Sequence, residues 1–338
     1  MQTRRHVRWG RGVALGLGLV MALVIGGCSS TPASGSPSPA SADLAAVTLR
    51  VGDQERRLET MMRASGQLDH LPYRVQWAEF TSGPPLLQAL SGGALDLGSV
   101  GDTPPIFSEA AGGAGAQIRI VAASTTHGDR DAILVPAGSD IRSVAQLKGR
   151  KVAVAQGSSA HLTLLLALRQ AGLSWGQIDP IYLQPPAAQS AFASHQIDAW
   201  AVWYPFVAAA LSAGGRILLS GVQLDPGYSF LVSSVTSLQR RATSAAISDF
   251  LHRSALARAW ANAHVTQWAA LYARVSGLSP AESLQTERNS VATYVPVDDT
   301  VRRAEQAAAD AFTDAGLLPR VDVARILDGR FNRSVVQS

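Results

Sequence analysis

Three short stretches bring together the residue types best suited to holding a small polar ligand. "QGSSAH" (Gln156–His161) places Gly157, where a backbone can come close, beside the hydroxyls of Ser158 and Ser159 at a helix start. First-turn amides have no acceptor within their own helix and sit at the positive end of its dipole, so this stretch can cradle an anion. It is equally the composition of an ordinary serine N-cap. "GDTPPIF" (Gly101–Phe107) offers the Thr103 hydroxyl and nearby amides, stiffened by two prolines that remove donors and fix φ. Asp102 would repel an anion, so it reads as an orienting acceptor or as a cap for the next helix. "TSGPP" (Thr81–Pro85) is a similar turn with Ser82 and Gly83. Gln54 can donate its side-chain amide, and His161 either donates to a ligand or faces solvent. In "IDAWAVWYPF", Trp203 ends a strand, where an aromatic wall can cover an apolar tail. Trp200 then points to the opposite face.

These stretches must be held by the elements between them. "VTLRVGDQ" (Val47–Gln54) and "YRVQWAEF" (Tyr73–Phe80) alternate apolar and polar residues as strands do, with a helix expected over Glu55–Ser65. "LLQALSGGALDLGSVG" gives a helix, a turn and a third strand leading into "GDTPPIF". Strands are also expected in "QIRIVAAS", "DAILVP", "KVAVAQ" and "PIYLQ". "SAHLTLLLALRQAG" is a helix that Ser159 can cap and Gly172 can end. "YSFLVSS" reads as a strand returning to the first half, and from about Thr243 the pattern is helical. Alternating strands and helices indicate an α/β protein with a parallel sheet, whose ligands gather beyond the strand C-terminal ends.

The segments "FTSGPPLLQALSGGALDLGSVGDTPPIFSEA", "AILVPAGSDIRSVAQLKGRKVAVAQGSSAHLTLLLALRQAGL" and "IDAWAVWYPFVAAA" are together similar to the aliphatic-sulfonate-binding proteins of ABC importers, within the sulfonate, nitrate and taurine group. The resemblance implies a two-lobed α/β periplasmic-binding-protein fold (type II) with two crossover strands, residues 47–134 and 229–338 forming lobe I and 135–228 forming lobe II. It implies a ligand cleft that closes between the lobes, delivery to a membrane permease with its ATPase, and a sulfonate held by Thr103, Ser158, Ser159 and first-turn amides. Tyr228 and Ser229 become hinge or rim residues. The family's usual pair of arginines before a tyrosine is reduced here to Arg288, six residues ahead of Tyr294. Taurine would want a carboxylate for its ammonium, and only Asp102 or Asp225 offers itself. Nitrate and a thiamine-pyrimidine precursor are alternatives within the family, and a pyrimidine- or menaquinone-pathway enzyme is the alternative outside it.

The N-terminus bears on where such a receptor would work. Arg4, Arg5, Arg8 and Arg11 precede an apolar run from Val13 to Gly27, an export-signal pattern. "LVIGGC" resembles the lipobox of bacterial lipoproteins, which implies a lipid on Cys28 and a signal peptide over residues 1–28. The Ser/Pro/Ala-rich residues 29–46 read as a tether. The expected location is therefore the cell envelope, in the periplasm or on the outer face of the cytoplasmic membrane. Four of the 29 basic residues and none of the 25 acidic ones lie in the leader, so the remainder is neutral and nothing points to nucleic acid. Cys28 is the only cysteine, and no cluster has metal-ligand spacing. The expectation is a monomeric binding protein, not an enzyme, with neither cofactor nor metal.

Overall fold

The computed structural model describes residues 44–112, 117–126, 130–222, 224 and 227–336. The expected leader, Cys28 and residues 29–43 of the expected tether lie outside the described residues, as does Asp225. Leu44 already packs on the core, and the Val47 amide bonds back to its carbonyl at 2.9 Å, so the folded chain starts ahead of the expected boundary at 47.

The strands are β1 (Thr48–Gln54), β2 (Arg74–Phe80), β3 (Leu97–Gly101), β4 (Ile118–Thr126), β5 (Asp131–Val135), β6 (Lys151–Val154), β7 (Asp179–Tyr182), β8 (Ala199–Trp203), β9 (Arg216–Ser220), β10 (Tyr228–Ser234) and β11 (Ala292–Val295). Helices α1 (Arg57–Ala64), α2 (Gly83–Ser91) and α3 (Thr103–Gly112) follow the first three strands. Helices α4 (Ser159–Gln170), α5 (Pro185–Ala193) and α6 (Phe206–Ser212) follow β6, β7 and β8. The C-terminal part holds α7 (Val235–Gln239), α8 (Arg241–Ala263), α9 (Val265–Ser276), α10 (Pro280–Asn289), α11 (Asp299–Asp314) and α12 (Asn332–Val335).

Two sheets form two lobes, ordered β11-β4-β10-β3-β1-β2 and β7-β6-β8-β5-β9. Where a helix crosses over, strands pair in parallel: β1 with β2 and β3, and β6 with β7 and β8. Where the chain passes directly between lobes, it enters the next sheet from the cleft end and runs antiparallel. So β5 pairs in reverse with β8 and β9, and β10 with β3 and β4. Both sheets are therefore mixed, not parallel throughout. Asp131 already pairs with Trp203 in the second sheet. Strand β5 thus belongs wholly to the second sheet, and a lobe boundary at 134 falls too late. The stretch from Thr243 is helical except for β11, four residues that join β4 at the edge of the first sheet.

The close fit of α2 to its sheet explains two glycines. A Cβ on Gly98 would lie 2.3 Å from Leu86 Cδ2, and one on Gly52 would lie 2.8 Å from Leu86 Cγ. The helix therefore rests on β1 and β3 with its N-terminus at the cleft. Trp268 and Tyr272 are buried in the core shared by α8, α9 and β1, as their helical spacing suggests. Helix α11 packs on both α3 and α4, joining the lobes beside the cleft. Among the described residues no helix is long and apolar enough to cross a membrane.

Candidate functional site

The C-terminal ends of β1, β3 and β8 and the N-terminus of α4 converge on a cavity of about 150 Å³ between the two sheets. At its centre the lobes nearly touch. A Cβ on Gly101, at the end of β3, would stand 3.1 Å from Ser159 Cβ, so a bare glycine lets the cleft shut this far.

The turn before α4 is built as its composition suggests. Gly157 takes a left-handed φ of 74°, and Ser158, not Ser159, occupies the N-cap position in an extended conformation. Both serines line the cavity, but their hydroxyls are engaged within the second lobe: Ser158 Oγ donates to the Ala155 carbonyl at 2.7 Å and Ser159 Oγ to Asp131 Oδ1 at 3.1 Å. The Ser158 and His161 amides are engaged as well, by the Ala155 and Ser158 carbonyls, so what remains for a ligand is the pair of amides that opens α4, at Ser159 and Ala160. Gly157 does not line the cavity. Gln54 does, with its side-chain amide donating to the Ser99 carbonyl at 2.8 Å. Trp203 lines it too and meets Phe206 edge-on, while Trp200 is buried on the other face against Phe192.

Gly83 is part of the wall, but Ser82 is not. With Thr81, Ser82 donates its hydroxyl to Gln184 Oε1, at 3.1 and 2.7 Å respectively, bridging to the start of α5 in the opposite lobe. Thr103 is fully buried and spends its hydroxyl on Asp102 Oδ1 at 2.9 Å, so it does not line the cavity. Asp102 also accepts the Thr103 amide at 2.7 Å and Arg130 Nη2 at 2.8 Å. His161 neither donates to the cavity nor faces solvent. It is packed among Phe107, Trp175, Tyr182 and Phe312, with Nδ1 accepting from the Gly157 amide at 3.1 Å. Tyr228 is buried and stacks on Phe230, and its carbonyl accepts from Arg130; its neighbour Ser229 is the residue on the wall. Arg288 is exposed at the end of α10 and does not reach the cavity, because α10 turns Glu287 inward instead.

The charges of the site come from residues that the sequence did not single out. Arg130, between the lobes, binds Asp102, lies 3.4 Å from Asp131 and donates to Ser229 Oγ at 2.9 Å. Asp53 lines the cavity as a cap, accepting the amides of Gln54, Leu58 and Glu59; burial pushes its carboxyl up to about 6 despite those bonds. Glu55 follows with a left-handed φ of 51°, and burial, reinforced by the charge of Asp53, raises its carboxyl to about 8. Arg57 is held by Glu287 through two bonds of 2.6 Å. Arg258 lines the cavity from α8 with its Nε buried and unpartnered, and it has no carboxylate at ion-pair distance among the described residues. Burial, with the like charge of Arg57, lowers its pKa. A signal for Arg258 was present: Ile247, Leu251, Ser254, Arg258 and Ala261 recur at helical spacing, a cation on a stripe that faces inward.

The site is thus a crevice with a helix N-terminus on one side, an indole wall, and one cation, Arg258, without an ion-pair partner among the described residues. The chain matches the model of the NMT1-like family over residues 58–271. An aliphatic sulfonates-binding protein of Escherichia coli (strain K12) is 38% identical over 281 residues, which cover 81% of this chain and 86% of that protein. Another, of Bacillus subtilis (strain 168), is 29% identical, with 78% and 79% covered. Among solved structures, the alkanesulfonate-binding protein of Xanthomonas axonopodis pv. citri bound to MOPS aligns with a TM-score of 0.77 at 36% identity, covering 83% of this chain and 98% of that one. These relatives are binding proteins, not enzymes. The extent of the family match and the identity maintained across most of both chains establish that this protein belongs to the NMT1-like family, among the aliphatic-sulfonate-binding proteins.

Proposed function

We propose that this protein is the extracytoplasmic receptor of an ABC importer, capturing aliphatic sulfonates between its lobes and delivering them to a membrane permease and its ATPase. The observation that carries the reading is Arg258, on the cavity wall with its Nε buried and unpartnered and no ion-pair partner among the described residues, Glu287 acting on it only at longer range. A sulfonate is a permanent monoanion that accepts hydrogen bonds and offers none, and burying an unpaired cation is costly until such a partner arrives. The N-terminus of α4 supplies further donors and a favourable dipole, and Trp203 covers an alkyl tail. Gln54, Gly83, Ser158, Ser159 and Trp203 touch the ligand. Asp102 acts at a distance by orienting Arg130, and Ser82 by bridging the lobes.

Thermal-shift and calorimetric titration with alkanesulfonates, nitrate, sulfate and pyrimidines tests the reading. Sulfonates should stabilise the protein and Arg258→Gln should abolish the shift; stabilisation by pyrimidines with none by sulfonates would refute it. We further propose a monomer held to the outer membrane face by lipid on Cys28. A Cys28→Ser protein should leave the membrane fraction once its signal is cleaved, and retention there would refute the anchor.

A further inference from the structure

The cavity wall carries two groups of opposite character, each with a buried polar atom left unpartnered. Arg258 is the first. The second is Glu55, whose Oε1 is buried without a hydrogen-bond partner, the one side-chain bond to its carboxyl coming from Trp203. The groups facing Glu55 are Asp53 from β1, Arg57 from α1, Glu79 from β2 and Trp203 from β8, while the Tyr272 hydroxyl of α9 donates to its backbone carbonyl at 3.1 Å. Arg57 is the only cation among them, and both of its terminal nitrogens are taken by Glu287. Asp53 already accepts three amides, and Asp102 accepts twice from Thr103 and once from Arg130, so the charge of each is held by donors of the protein itself. A plain alkanesulfonate has no use for a buried carboxyl beside it.

The geometry points to Glu55 as the residue that selects organosulfonates bearing an amine at the far end, with the sulfonate at Arg258 and α4 and the ammonium at Glu55. This assignment rests on the sulfonate reading above. It is supported by the state of the free site, where burial and Asp53 hold the carboxyl up to about 8 and hence protonated near neutrality. When the ammonium arrives, the Glu55 O–H bond breaks, its proton passes to the buffer, and the carboxylate accepts an N–H of the ligand. A buried charge pair of this kind contributes strongly when each partner would otherwise be alone.

The test compares taurine with ethanesulfonate, which differ only in the amine, by calorimetry on the wild-type protein and Glu55→Gln. The wild type should prefer taurine by about tenfold or more, and the preference should vanish in the variant. Titrations in buffers of different ionisation enthalpy should show proton release with taurine and none with ethanesulfonate. That count on the wild type decides the matter even if the variant does not fold. Equal affinities and equal proton counts for the two probes overturn the role of Glu55 while leaving the sulfonate reading intact. If neither probe binds the wild type, both readings fall.

Discussion

His161 makes a quantitative prediction about acid stability. Its ring is 1% exposed, Nδ1 accepts from the Gly157 amide, and the proton-bearing Nε2 is buried without a partner. Four aromatic rings enclose it, from Phe107 on α3 to Phe312 on α11, with Trp175 nearest at a centroid distance of 4.6 Å. Among the described residues no carboxylate compensates a charge there, and burial pushes its pKa down from 6.5 to about 3. The unfolded chain binds a proton near pH 6.5 that the folded protein refuses, so stability falls as pH drops through this window. Well below pH 6.5 each unit costs about 1.4 kcal/mol; from half-protonation at pH 6.5, acidification to about 4.5 removes roughly 2.3 kcal/mol, about fiftyfold in the folding constant. His161→Asn keeps an acceptor for Gly157 but cannot titrate. Urea unfolding followed by tryptophan fluorescence at the two pH values should show a smaller acid loss in the variant by that amount. The raised carboxyls of Asp53 and Glu55 act equally in both proteins and cancel in the difference. Equal acid losses in variant and wild type would refute the account.

Three further outcomes follow from the lobe contacts and the buried ion pair. Gly101→Ala puts a methyl 3.1 Å from Ser159 Cβ, so the cleft should close less fully and calorimetry should show sulfonate affinity reduced by about tenfold; unchanged affinity would mean the lobes do not meet there. Gln184→Ala removes the acceptor shared by Thr81 and Ser82, two hydrogen bonds of about 1 kcal/mol each in the closed form. Stopped-flow measurement should find ligand release accelerated at least several-fold, and an unchanged release rate would rule out a latch. Glu287→Gln leaves the Arg57 charge buried without its counter-ion and should cost about 3–5 kcal/mol in urea unfolding, whereas a cost below about 1 kcal/mol would contradict the pairing.

Much of the architecture was legible because its signals are local. The alternation in Arg74–Phe80, the turn at Gly157 and the leucine-rich face of α4 are each written in neighbouring residues, and they placed the strand ends and helix start that frame the cleft. The opposite facing of Trp200 and Trp203 followed from the two-residue period of a strand. Thr103 and His161 were misplaced because a hydroxyl or an imidazole beside a turn looks the same whether it faces the cavity or the core. Asp102 takes up the one, and four aromatic rings enclose the other. Strand β11 escaped because four residues amid helices are too short for a period to show, and it forms only because the edge of β4 is open to it.

Local residue patterns suffice for the α/β alternation, the two-lobed family and the turn at Ser158 and Ser159. The tertiary structure alone decided which charges face the ligand. Arg57 and Glu287 are 230 residues apart, and no local pattern states that their pairing leaves Arg258 Nε and Glu55 Oε1 without partners beside the cavity. Periodicity and turn chemistry arise from adjacent residues, whereas the neutralisation of one charge by another depends on distances that exist only after the chain has packed.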